Sequence, residues 1–119
     1  MATRNGVMTD VSELGTVKLA TWSGLLNGDD GSPAQWCDFA DRCIQVAGTF
    51  GTGGSLTVEG SNDGAVFSAL ADPQGNALTF TSAKIEQALE LPRYVRPRVT
   101  AGDGTTNLVC TILMRRGFK

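Results

Sequence analysis

The sequence predicts an all-β fold, an antiparallel β-sandwich of jelly-roll type with about eight strands. Three observations carry that expectation. Short runs such as LTVEGS and ALTFT alternate apolar and polar side chains with the period of two that a half-buried strand requires. Between them, NGDDGSP, GTGG, SNDG, DPQGN and AGDGTTN gather glycine, asparagine, aspartate and proline, residues that accept left-handed or pre-set backbone angles in turns. One stretch alone, SAKIEQALEL, carries apolar residues at helical spacing.

Residues 1–14 follow neither period and are expected to form an N-terminal arm whose order depends on what it touches, ahead of one sandwich domain over 15–119. GTVKLATWSGLL predicts a first strand near Thr16 to Leu25, with Val17, Leu19 and Thr21 on one face and Lys18, Ala20 and Trp22 on the other. NGDDGSP, Asn27 to Pro33, is a loop. Gln35 to Ala40 is expected as a short edge strand holding Trp36, and RCIQVAGTF as a strand alternating from Cys43 or Ile44 through Val46 to Phe50. GTGG, residues 51–54, then reads as a hairpin turn into a neighbouring antiparallel strand in which Leu56 and Val58 share a face. SNDG and DPQGN set off AVFSAL and ALTFT, with Phe67, Leu70, Leu78 and Phe80 as their apolar positions. For SAKIEQALEL, a short helix capped by Ser82 or a strand fits the pattern, and Pro92 ends it either way. RYVRPRVT and LVCTILMRR supply the last two strands. In the second of these Leu108, Cys110, Ile112 and Met114 line one side, which predicts a central, well-covered strand.

At 119 residues, with 41% hydrophobic and 18% charged side chains, one domain is expected to bury a sufficient core without disulfides or metals as staples. No apolar run approaches the ~18 residues that span a bilayer, and MATRNGVMTD lacks the apolar core of a secretory signal. A soluble chain made inside the cell, with no membrane partner, is expected. Cys37, Cys43 and Cys110 fall in alternating segments and read as buried thiols, the alternatives being a Cys37 to Cys43 bridge or an intermolecular one. The net charge of −2 divides unevenly. Residues 1–90 carry −7, whereas residues 91–119 carry +5 from Arg93, Arg96, Arg98, Arg115, Arg116 and Lys119 against Asp103. The two ends are therefore expected to attract each other, or other copies. Six cations spread over two strands and a tail make a poor phosphate track, so nucleic acid is not an expected partner.

The chain contains no histidine, which removes the usual general base and the usual partner of a serine or cysteine nucleophile, and no enzymatic activity is expected. Asp38 with Asp41, and Glu86 with Glu90, are possible carboxylate pairs, but a sandwich this small offers little room for a sugar-sized cleft between them. A solvated charged face accounts for both pairs. Asn27, Asp29, Asp30 and Ser32 form the best oxygen cluster, yet they lack the spacing of a calcium loop, and turn chemistry explains them; no metal or cofactor is expected. GTFGTGG shares only its glycines with a phosphate-cradling loop, since no lysine follows. Trp22, opposite Val17 and Leu19, is either a contact on the outer sheet surface or part of the packing of the second sheet. Trp22 and Trp36, with the basic end Arg115, Arg116 and Lys119, are the candidate partner-binding residues.

GSNDG at residues 60–64, Phe67, Leu70, Asp72, Gly75 and Asn76, followed by Val95 to Pro97 and Gly102 to Thr106, resemble a pattern of small virion proteins of tailed bacteriophages. The resemblance covers residues 60–116, about half of the chain. The same order is also similar to discoidin or coagulation-factor type C modules, although this chain is shorter and lacks the cysteine pair that ties their termini. Both resemblances imply a jelly roll. The phage resemblance implies a decoration protein, of the cement or staple kind, made in the host cytoplasm and bound to the major capsid protein on the outer capsid surface of the virion. It further implies a homo-oligomer, dimer or trimer, on the shell. A carbohydrate- or host-surface-binding module, and a tail or neck component, are the alternatives.

Overall fold

A computed structural model describes residues 2–12, 15–35 and 39–116. Among these residues the chain forms eleven strands of two to ten residues and no helix. In order they are β1 (Thr3–Arg4), β2 (Val7–Asp10), β3 (Val17–Leu25), β4 (Asp30–Gly31), β5 (Ala40–Thr49), β6 (Ser55–Ser61), β7 (Ser68–Ala69), β8 (Thr79–Phe80), β9 (Lys84–Gln87), β10 (Tyr94–Ala101) and β11 (Asn107–Arg115). They make two sheets. The first runs β1-β4-β10-β6-β7 with β8 also on β6; the second runs β2-β3-β11-β5-β9. The named pairings are antiparallel except β1 with β4. The expected antiparallel β-sandwich is thus the fold, with eleven strands in place of about eight.

The core lies between the sheets. β11 holds the centre of the second sheet because Leu108, Cys110, Ile112 and Met114 all project inward and are fully buried, as their alternation predicts. Ile44 and Val46 of β5 flank them, and Leu56, Val58, Val95, Val99 and Phe80 meet them from the first sheet. Burial pushes the Cys110 thiol well above the usual cysteine range, so it behaves as a small core hydrophobe. Cys43 is likewise a free thiol, half-buried on β5.

Several expectations are corrected. On β3 the core face is Ala20, Trp22 and Leu25, and Val17, Leu19 and Thr21 face outward. Trp22 is 0% exposed and its Nε1 donates to the carbonyl of Ser32 at 2.9 Å, so it packs the core and is not an outer contact. The indole fills the gap between sheets that the smaller Val17 and Leu19 would leave. A bulge then keeps the inward phase: Cys110 pairs with Trp22 but Leu108 pairs with Leu25, and Gly24 adopts a φ of 65° within the extra residue.

The segment expected as an arm instead extends both sheets, through β1 on β4 and β2 on β3. Asp29 is its anchor. The carboxylate accepts from the Ala2 amide at 2.9 Å, the Arg4 Nε at 2.8 Å and the Leu26 amide at 3.0 Å. Its burial acts to raise the pKa, but the hydrogen bonds from Leu26, Arg4 and Ala2, with the Arg4 charge, hold it below the ordinary value. Asp30 accepts from Thr3 Oγ1, and Ser32 Oγ accepts from the Gly6 amide, so the oxygen cluster of this loop serves the chain's own donors.

GTGG joins β5 in the second sheet to β6 in the first, and so crosses the sandwich instead of making a hairpin. Lys84–Gln87 pairs with Cys43 to Val46, which settles SAKIEQALEL as the edge strand β9, because the ladder offered by β5 outweighs a weak helical preference. Of the edge strand expected over Gln35 to Ala40, Ala34 forms a bridge to Val95 and Ala40 begins β5, while residues 36–38 lie outside the described residues.

Candidate interaction surface

The outer faces of the two sheets differ in kind. On the first sheet, Glu59 sits between Arg96 and Arg98, its carboxylate accepting from Arg96 Nε and Nη2 at 3.1 Å and from Arg98 Nη1 at 3.2 Å. Arg96 also reaches Asp30 at 3.5 Å and lies over the Phe67 ring at 3.9 Å from its centroid. Glu59 is left only 8% exposed at its side chain. The opposite charges of the two chain halves therefore meet here within one molecule, and this face is closed by its own ion network.

The second sheet presents the contrary. Its ladder registers place Val7, Thr21, Thr111, Gln45 and Ile85 in one row across all five strands, and Thr9, Leu19, Leu113, Cys43 and Gln87 in the next. Val109 and Ala47 begin a third. No side chain in these rows carries a formal charge. The ends stand open, with Val7 63% and Ile85 58% exposed; Gln45 is exposed too, while Leu19, Thr21, Thr111, Leu113 and Cys43 are half-buried.

The two edges of this sheet are guarded. Lys18 of β3 forms an ion pair with Asp10 of β2 at one side, and Lys84 pairs with Glu86 on β9 at 3.1 Å at the other. Val46 opposite Lys84 and Ile44 opposite Glu86 put those charges on the inward side of the edge, a placement that discourages strand addition.

At the end where β11 finishes, the uncharged face runs into clefts. One of about 600 Å³ is lined by Val11, Ser12, Thr16, Val17, Asp41, Leu113, Arg115 and Arg116. A smaller one of about 280 Å³ lies on the other side of Leu113 and Arg115, against Asp41, Cys43 and Gln87. The backbone is shaped for this. Leu113 pairs with Cys43 but Arg115 pairs with Ala40, so β5 bulges, and Asp41 takes a φ of 48° in the extra residue.

The fold is shared with a prophage-derived protein. The chain is similar to SPBc2 prophage-derived protein YomS with a TM-score of 0.62 and 8% identity, over 82% of this chain and 93% of that one. More distant likenesses are to a carbohydrate-binding module, CBM32 of AlyQ in complex with 4,5-unsaturated mannuronic acid (TM-score 0.44, 14% identity, 82% of this chain and 78% of that one), and to a cupin 2 domain-containing protein from Halorhodospira halophila (TM-score 0.45, 10% identity, 96% and 63%). At these identities the likeness is one of fold. No protein-family model matches the chain, and no curated protein matches it in sequence.

Of the candidate partner-binding residues, Arg115 and Arg116 come together at the cleft. Arg115 is exposed. Arg116 is tied more closely, its amide donating to the Thr16 carbonyl at 2.9 Å and its guanidinium lying 5.3 Å from the Phe39 ring centroid. Trp22 is removed to the core. Trp36 and Lys119 lie outside the described residues. The residues that sequence reasoning missed are Thr21, Gln45, Thr111, Leu113 and Ile85, whose signal was present as uncharged alternate positions, the charges Lys18, Arg42, Lys84 and Glu86 of the same strands falling on the other alternation.

Proposed function

We propose that this chain is a structural virion protein of a tailed bacteriophage, a decoration or cement protein that binds the major capsid protein on the outer surface of the shell and stabilises it. The observation that carries this reading is the cleft that Arg115 and Arg116, with Asp41 as the one acidic member, line together with the apolar Val11, Val17 and Leu113. Cations beside an apolar cleft suit an acidic, partly apolar protein surface. The resemblance of residues 60–116 to small phage virion proteins supports the address, and the fold shared with a prophage-derived protein agrees with it. Weak contacts are sufficient for such a role, because a symmetric shell repeats each one many times and holds the layer by avidity. The carbohydrate-binding alternative rests on the discoidin-like order and on an exposed tryptophan; Trp22 is buried, and Trp36 lies outside the described residues.

The test is to mix the purified chain with bare shells. Co-sedimentation with the shells and a rise in their heat resistance are expected, and Arg115→Glu is expected to weaken binding by about tenfold without changing the unfolding curve. A chain that stays in the supernatant and leaves the shells as heat-sensitive as before removes the reading.

A further inference from the structure

We infer that the uncharged outer face of the second sheet is a self-association surface, on which a second copy of this chain packs face to face about a two-fold axis. The inference stands on the sheet alone and does not require the shell reading.

Four features commit the face to a second copy. The first is extent. Five strands at about 4.8 Å spacing, with about 20 Å of outward rows on the three central ones and about 13 Å on the four-residue β2 and β9, present roughly 400 Å² in projection before side-chain relief, about half of the ~800 Å² per partner of a standard stable interface. The second is composition. Val7, Thr9, Leu19, Thr21, Gln45, Ile85, Thr111 and Leu113 set no like charge against like when the face meets itself, which a heterologous partner would not require. Third, the guarded edges at Asp10–Lys18 and Lys84–Glu86 direct association onto the face and away from edge pairing.

The fourth feature is the polarity of β11. Arg115 ends the strand, and Asp103, whose carboxylate accepts from the Thr52 amide and Thr105, lies in the loop that begins it. A two-fold axis in the plane of the interface, running across the strands, lays β11 over β11 in opposite directions. That arrangement sets the Arg115 end of each copy against the Asp103 end of the other, whereas an axis along the strands would stack Arg115 on Arg115. The packing is the one sheets adopt within a sandwich, about 10 Å apart. The dimer that results carries its two Arg115 poles at opposite ends, a geometry able to bridge two sites.

Sedimentation equilibrium and native mass spectrometry of the full chain test this. A dimer is expected, and Thr111→Arg, which places an unpaired charge at the centre of the face, is expected to weaken it by about 100-fold. Ile85→Arg lies at the open end of the same row, where it leaves folding untouched, and is expected to weaken the dimer in the same direction. A wild-type chain that is monomeric at every concentration overturns the inference, as does a dimer that survives both substitutions. A monomer whose binding to shells is lost in Thr111→Arg assigns the face to a capsid subunit instead, and overturns self-association equally. A dimer that fails to pellet with shells leaves this inference intact and removes only the functional reading.

Discussion

Gly31→Ala is expected to destabilise the domain, and to do so through Trp22. A Cβ at position 31 would lie 2.6 Å from Trp22 Cδ1, 2.7 Å from its Nε1 and 2.7 Å from Pro97 Cδ, all far inside the ~3.5–4.0 Å of ordinary contact. The indole has no room to retreat. A Cβ at Gly6 would sit 2.7 Å from the same Nε1, and that nitrogen is held by the Ser32 carbonyl at 2.9 Å. Overpacking of this kind costs about 2–3 kcal/mol. At roughly 4 °C per kcal/mol for a domain of this size, the midpoint of thermal unfolding should fall by about 10 °C. The expected sign is informative, because an unstrained glycine-to-alanine change would stabilise by about 0.4–1 kcal/mol. A double-mutant cycle isolates the cause. Trp22→Phe alone is expected to cost about 2 kcal/mol, from lost packing and from the Ser32 carbonyl left without its donor. In that background the smaller ring frees the space, and Gly31→Ala should then cost less than about 1 kcal/mol. Urea unfolding of the four proteins supplies the numbers. A Gly31→Ala chain as stable as wild type, or an equal cost in both backgrounds, refutes the reasoning.

Two further outcomes follow from the ionised side chains. Glu59→Gln keeps the shape of the side chain but turns an amide NH2 toward a guanidinium; because Arg98 is half-exposed and Arg96 partly so, the loss is about 1–2 kcal/mol, read as a lower urea midpoint, and an unchanged midpoint would count against the network as a support of the first sheet. Acid should weaken the fold in a defined window: backbone hydrogen bonds from Ala65 and Val66 lower Asp63 to about 2, hydrogen bonds from Thr105 and Thr52 lower Asp103 further, and Asp29 is lowered too, all from 3.8. Depressed carboxylates contribute stability that is complete above the unfolded value and lost as pH falls through the folded one, so stability measured from pH 5 to 2 should decline below about pH 4. A flat profile, or one in which Asp63→Asn does not shallow the decline, would refute it.

Much of the architecture was legible because sandwich physics is local at its core. In β11, Leu108, Cys110, Ile112 and Met114 needed only their spacing to be placed inward. The connections were less legible. GTGG is the right chemistry for a tight turn, but whether the strands it joins pair or part is decided by where their apolar faces look, and Ile44 and Val46 face Leu56 and Val58 across the core. The N-terminal strands were illegible for a related reason. Val7 to Asp10 have no strong alternation, and their order comes from Asp29, Ser32 and the free edge of β3, partners between eight and 28 positions away along the chain. At the candidate site Arg115 and Arg116 were visible as charge at a chain end, whereas the αL aspartate at position 41 that shapes the neighbouring clefts is a consequence of a bulge that no pattern of residue types announces.

The two-sided pattern of β3 is itself informative about the surface. A strand of an ordinary antiparallel sheet declares its buried side because the other side is polar and charged. In β3 both sides carry apolar residues, Val17 and Leu19 on one and Ala20 and Trp22 on the other. Apolar residues on both sides of a strand are what burial of both faces produces. Within one chain the second sheet is covered on one face only, by the first sheet, while the first sheet closes its own outer side with Glu59, Arg96 and Phe67. What made the inward side of β3 hard to read is therefore the property that a second layer laid over Leu19, Thr111 and Leu113 would explain, and it places the missing cover at the centre of the sheet and not at its guarded edges.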